Sequence, residues 1–183
     1  YEPLCLDVQS VYYNQANAPI IVGGRYGLSS KDTTPDLVNA IFNNLKLAQP
    51  KDHFTVGIND DIDHTSLEVT ETIDVCDPTT TELLFFGLGS DGTVGACKNI
   101  SKIVGDYTDF YSQSYAAYDS KKSGGSTRLH LRFSKKPIRS TYLVNNPHFV
   151  SCSLDAYLEK FDMIDGLRDG GTFLLNTVVD ADH

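Results

Sequence analysis

There is no Trp in the 183 residues, only one Met, and no two cysteines close enough to share a metal. Cys5, Cys76, Cys97 and Cys152 are widely spaced and form no C-x-x-C. That pattern excludes a zinc ribbon or an iron–sulfur cradle built by this chain. Read as small hydrophobes, they fit a reducing, cytoplasmic setting. No apolar run approaches the roughly 18 residues that cross a bilayer, so no membrane partner is expected. His53, His64, His130, His148 and His183 show no metal-ligand spacing, and Asp60, Asp61 and Asp63 lack the glycine and distal Glu of a calcium loop. Walker and G-x-S-x-G loops are also missing. With no signal peptide and no initiating Met, the chain reads as a piece of a longer polypeptide.

A formal charge of −9 argues against nucleic acid as a partner. Acid is itself absent from one window. Between Ser120 and Leu154 there is no Asp or Glu, yet Lys121, Lys122, Arg128, Arg132, Lys135, Lys136 and Arg139 fall there. Two readings stay open: a solvated face balanced elsewhere, or a basic surface for a phosphorylated ligand or an acidic neighbouring domain.

With 40% apolar residues, the chain can bury roughly 70% of its unfolded surface in one domain. Residues 1–18 have no good period and read as an arm or linker, with the domain over 19–183. Ile20–Val22 predicts a short strand. Thr33 or Thr34 then caps a helix with Pro35 in its first turn, carried by Leu37, Ile41, Leu45 and Ala48 with Val38. Strands are expected at 54–58, 83–86, 111–118, 126–134, 141–144, 149–152 and 172–175, and helices at 94–104 and 154–167. In 126–134, Thr127, Leu129, Leu131 and Phe133 alternate with Arg128, His130 and Arg132. The pattern predicts an α/β fold, a three-layer α/β/α domain with a largely parallel sheet and an N-terminal arm.

Gly87-Leu88-Gly89-Ser90-Asp91-Gly92 fits G-x-G-x-x-G between a strand and a helix, a setting that favours phosphate. Asp91 is a poor neighbour for a pyrophosphate, however. Asp106 and Asp109 precede the next strand and Asp119 comes too late to hold a ribose. The turn is either a structural corner or an anion contact. Asp91 can also hydrogen-bond its own turn. An NAD-binding domain is the weaker alternative, and the chain has no self-contained catalytic set.

Six stretches together are more specific: "VGGRYGLSSKDTTP" (22–35), "PKDHFTVGINDD" (50–61), "FFGLGSDGTVGACKN" (85–99), "YDSKKSGGSTRLHLRF" (118–133), "PIRSTYLV" (137–144) and "GLRDGGTFLLNT" (166–177). In this order they resemble the pyruvate:ferredoxin (flavodoxin) oxidoreductases, in the domain equivalent to the gamma subunit of the split 2-oxoacid enzymes. Cys97 departs from the family, which has Asn at that place. The resemblance implies conversion of pyruvate and coenzyme A to acetyl-CoA and CO2, with two electrons passed to ferredoxin or flavodoxin. It implies thiamine diphosphate, Mg and [4Fe-4S] clusters in other domains of a homodimeric parent, with no cofactor held by this fragment and with those domains as partners. Ser90-Asp91-Gly92 is similar to the start of a thiamine metal motif, but the Asn that completes that motif is missing from 116–122. The resemblance also gives this domain part of the coenzyme A surface and of the closure over the thiamine site. Its candidates are Gly24, Arg25, Tyr26, Gly27, Lys51 and Asn176. A guanidinium, an ammonium and bare glycine backbone suit the pyrophosphate and 3′-phosphate. Asn176 ends a strand, where open α/β sheets bind ligands. A purely structural or docking domain of the same enzyme is the alternative.

Overall fold

The computed structural model describes residues 2–28, 31–60, 62–118 and 125–179. The chain divides into two compact units, residues 1–75 and 76–183.

The first unit runs through α1 (Pro3–Val11), β1 (Gly24–Arg25), α2 (Pro35–Leu45) and β2 (Phe54–Thr55). The stretch expected to be irregular therefore contains a helix, opened by Pro3, whose fixed φ suits a first turn. Leu4, Leu6, Val8 and Val11 are exposed on it and only Cys5 is buried, so no amphipathic period announces it. The strand expected at Ile20–Val22 falls later. Gly24 and Arg25 pair in parallel with Phe54 and Thr55, while Ile20 stays exposed. In α2, Thr34 is the N-cap position and Asp36 lies in the first turn, where the helix dipole favours an acid. Its buried residues are Ala40 and Asn44, whereas Val38 and Leu45 are exposed. Buried Asn44 is satisfied on both sides of its amide: it donates to the Lys51 carbonyl and accepts the Lys51 N–H.

The second unit contains β3 (Thr81–Leu88), α3 (Thr93–Tyr107), β4 (Tyr111–Tyr118), β5 (Ser126–Ser134), β6 (Phe149–Cys152) and β7 (Thr172–Leu175). They form one sheet in the order β4-β5-β3-β6-β7. β6 runs parallel to β3 and β7 to β6, while β5 opposes β3 and β4 opposes β5. All strands but β5 thus point one way, giving the α/β class with a largely parallel sheet.

The two faces are covered differently. Leu83, Phe85, Leu129, Leu131 and Ala116 pack with Cys97, Val94 and Ile100 of α3. On the opposite face, Phe86, Val150 and Cys152 pack with Tyr157, Phe161 and Met163. The helix expected over Leu154–Leu167 is absent; only a 3-10 turn, Asp155–Tyr157, forms. The apolar residues of that stretch reach the sheet singly, and Gly166 at φ +83° takes the chain out of the helical region. The strand expected at 141–144 is absent too, because its backbone serves β5 side chains. The Val144 N–H donates to His130 Nδ1 at 3.1 Å, and the Tyr142 carbonyl accepts from Arg132 Nη1 at 2.8 Å.

Candidate functional site

The turn after Gly23 is built by its neighbours. Gly24 lies against the Phe54 ring, and an added Cβ would run into that ring, so the parallel pairing of β1 with β2 requires glycine. Gly27 has φ +60°, a region a side chain seldom enters. Between them, Arg25 and Tyr26 project outward, the Arg25 side chain 56% exposed and Tyr26 61% exposed. The four candidates 24–27 are therefore contiguous; Arg25, Tyr26 and Gly27 are exposed and Gly24 is half-buried.

Three residues that the sequence reading passed over hold this turn. Asp52 Oδ1 accepts the Gly23 N–H at 2.7 Å and the His53 N–H at 2.9 Å. His53 lies between two carboxylates, with Nδ1 3.3 Å from Glu2 and Nε2 3.3 Å from Asp52. Glu2 also lies 3.8 Å from Arg25 Nε. The Gly23 hydrogen bond, with help from His53, holds the Asp52 carboxyl below its usual range against the opposing effect of burial. Asp52 and His53 lie inside "PKDHF", but their partners are about 30 and 50 positions away in sequence.

Lys51, next in the chain, donates from Nζ to the carbonyls of His64 at 3.0 Å and Ser66 at 3.1 Å. It clasps the loop whose Ser66 bridges Thr55. An ammonium has three donors, so among the described residues one is left. Asn176 belongs to the second unit. It follows β7, donates from Nδ2 to the Ser153 carbonyl at 3.1 Å, and stays exposed.

In the glycine turn 87–92, the position that a phosphate would take is held by the chain's own carboxylate. Asp91 accepts from the N–H groups of Leu88 and Thr93, each at 2.8 Å, and from Ser153 Oγ at 2.6 Å. Partial burial works to raise its pKa. The hydrogen bonds from Ser153, Thr93 and Leu88 outweigh that effect and keep the carboxyl below its ordinary range. The structure thus shows a strand-to-helix corner, with Asp91 bonding its own turn at the start of α3.

The acid-free window is less bare than it reads. Arg132 is buried against Glu82 at 2.7 Å, and Lys136 pairs with Asp77 at 2.8 Å. Lys121 and Lys122 lie outside the described residues.

The donors among the described residues do not suit an iron–sulfur cluster or magnesium. Cys5, Cys97 and Cys152 are buried. Burial, followed by the nearby Asp91, pushes the Cys97 thiol up to about 11, far from the thiolate that a metal needs. Asp91, the acid of the thiamine-like Ser-Asp-Gly, is committed to its own turn. Among the described residues no three His, Cys, Asp or Glu side chains converge.

A family model described as pyruvate ferredoxin/flavodoxin oxidoreductase matches residues 82–182. The chain belongs to that family. It is 55% identical over 176 residues to the pyruvate-flavodoxin oxidoreductase of Enterobacter agglomerans, covering 96% of this chain and 15% of the relative. It is 51% identical over 182 residues to the pyruvate:ferredoxin oxidoreductase of Moorella thermoacetica, covering all of this chain and 16% of that protein. A mitochondrial pyruvate dehydrogenase [NADP(+)] of Euglena gracilis is 46% identical over 180 residues, 96% of this chain and 10% of the relative. The chain thus spans about a sixth or less of the pyruvate oxidoreductases it matches.

Proposed function

We propose that this chain is the gamma-type domain of an enzyme that converts pyruvate and coenzyme A to acetyl-CoA and CO2. In this reading Arg25, Tyr26 and the bare backbone of Gly24 and Gly27 meet the phosphates of coenzyme A and help close the thiamine site. Lys51 adds its remaining N–H, and Asn176 is a separate candidate contact on the second unit. The observation that carries the proposal is the likeness to pyruvate oxidoreductases along essentially the whole chain, at 51–55% identity. The exposed arginine beside a glycine turn supplies the chemistry, since a guanidinium pairs bidentately with phosphate.

Thiamine diphosphate, magnesium and [4Fe-4S] clusters belong, in this reading, to the rest of a homodimeric parent. Relatives named for flavodoxin, ferredoxin and NADP share this segment at 55%, 51% and 46% identity. In this reading the choice of electron acceptor, ferredoxin or flavodoxin included, lies outside it. Buried thiols at Cys5, Cys97 and Cys152 suit a reducing cytoplasm. No helix among the described residues is long and apolar enough to cross a membrane.

The test is a titration of the ¹⁵N-labelled chain with coenzyme A. Shifts confined to the amides of Gly24–Gly27 and Lys51 are expected, and Arg25→Ala should weaken binding about tenfold or more, as for a lost charge-assisted pair. Shifts with NAD instead, or none at these amides, would refute the assignment.

A further inference from the structure

We infer that Glu2 is an internal competitor for Arg25, its carboxylate pairing with the guanidinium that a ligand phosphate would draw away. The inference rests on the reading of the Gly24–Gly27 turn as a phosphate contact.

The geometry is that of an occupied anion cradle. Glu2 Oε1 lies 3.8 Å from Arg25 Nε, and Oε2 lies 3.3 Å from His53 Nδ1. On the backbone side Oε2 approaches Gly23 so closely that an added Cβ there would meet it and Cys5 Sγ. Guanidinium and imidazole around one oxygen pair are groups that a phosphate also uses. Asp52 fixes the far wall, holding the Gly23 and His53 N–H groups and facing His53 Nε2.

Exposure shows which side can yield. The Glu2 side chain is 19% exposed and that of Arg25 56%, so a ligand would reach the pair from the arginine side. Such a half-exposed ion pair is weak, and a phosphate offers more charge and more acceptor oxygens than a carboxylate. Glu2 therefore tempers anion affinity without abolishing it. A pure positioning role would have the opposite sign, because removing the carboxylate would then loosen Arg25 and weaken binding.

The experiment is a titration of the ¹⁵N-labelled 183-residue chain with inorganic pyrophosphate and with coenzyme A, read at the Gly23–Gly27 amides. Three forms are compared: unaltered, Glu2→Gln and Asp7→Asn. Gln keeps a hydrogen-bonding head for His53 while removing the charge. Asp7, an exposed acid on α1, controls for net charge. Glu2→Gln should bind both ligands about two- to fivefold tighter, the range of an exposed ion pair, and Asp7→Asn should bind unchanged. Equal or weaker binding by Glu2→Gln, or an equal gain from Asp7→Asn, overturns the competitor and leaves the phosphate site intact. No response from any form to either ligand overturns both.

Discussion

Glu82 is 3% exposed and accepts from Arg132 Nε at 2.7 Å and from Arg168 at 3.1 Å. Arg132 is equally buried, stacks 4.9 Å over the Tyr142 ring and donates to Gln113 and the Tyr142 carbonyl. Removing one member of such a pair strands a charge in a low-dielectric interior, whereas removing both need not. Glu82→Leu should therefore cost about 3–5 kcal/mol, and Glu82→Leu with Arg132→Met distinctly less than the sum of the two singles. Urea unfolding of the three variants measures this, and additive losses would mean that the pair is not coupled. The same pair marks what a residue-by-residue reading can see. Arg132 stands in a window without acids, so it reads as a surface cation, and its partner is 50 positions away. Alternation along β5 was legible, but not its meaning: Thr127, Leu129 and Leu131 are buried on one face, yet His130 and Arg132 on the other are buried too. Arg25 was legible as an outward cation, whereas Glu2 and His53 beside it were not: His53 arrives through the pairing of β1 with β2, and Glu2 from the residue before α1.

At the scale of elements, Asp91 ties β3 to α3 through Leu88 and Thr93 and reaches the end of β6 through Ser153. Its folded pKa is depressed, so its stabilising contribution is complete above the ordinary value of about 3.8. That contribution is lost as pH falls through the lower folded value. Asp91→Asn should cost about 1–2 kcal/mol at pH 7, in the range of a lost helix-start cap with its hydrogen bonds. The gap between the two proteins should narrow as pH falls below the ordinary value of about 3.8. Urea midpoints at pH 7, 5 and 3 test it, and a gap that persists in acid would remove the carboxylate from the explanation. Elements with a self-evident period were readable: β4, β5, β6 and β7 have the expected limits, and α2 and α3 lie where their stripes put them. The misread segments share a cause. Over 154–167 the apolar spacing imitates a helix, yet Leu154, Tyr157, Phe161 and Met163 are drawn to the sheet one at a time. In α1 the reverse holds, since a helix with exposed apolar residues carries no stripe to detect.

For the molecule as a whole, the second unit closes its core within its own residues. Both covers of the five-stranded sheet, α3 and the segment around Tyr157–Met163, come from residues 76–183. So do all three members of the buried Glu82–Arg132–Arg168 cluster. A sheet covered on both faces, with its buried charges paired internally, meets the physical requirements of an independent folding unit. Residues 76–183 alone should therefore give a single urea transition, with an m-value of about 1–3 kcal/mol/M for a domain of this size. Its slowest-exchanging amides should be those of the central strand, around Leu83–Phe86, and of its neighbour β5 around Leu129–Leu131, because these residues pack into the core on the two faces of the sheet. Hydrogen exchange on the isolated fragment decides the matter. Uniformly fast exchange, or a broad transition, would show that the sheet needs residues 1–75 to hold its packing. Protection at those amides would place the turn at Arg25 and the folding core in separate parts of one chain. Substitutions at Arg25 or Glu2 should then change ligand affinity while leaving the second unit's unfolding curve where it was.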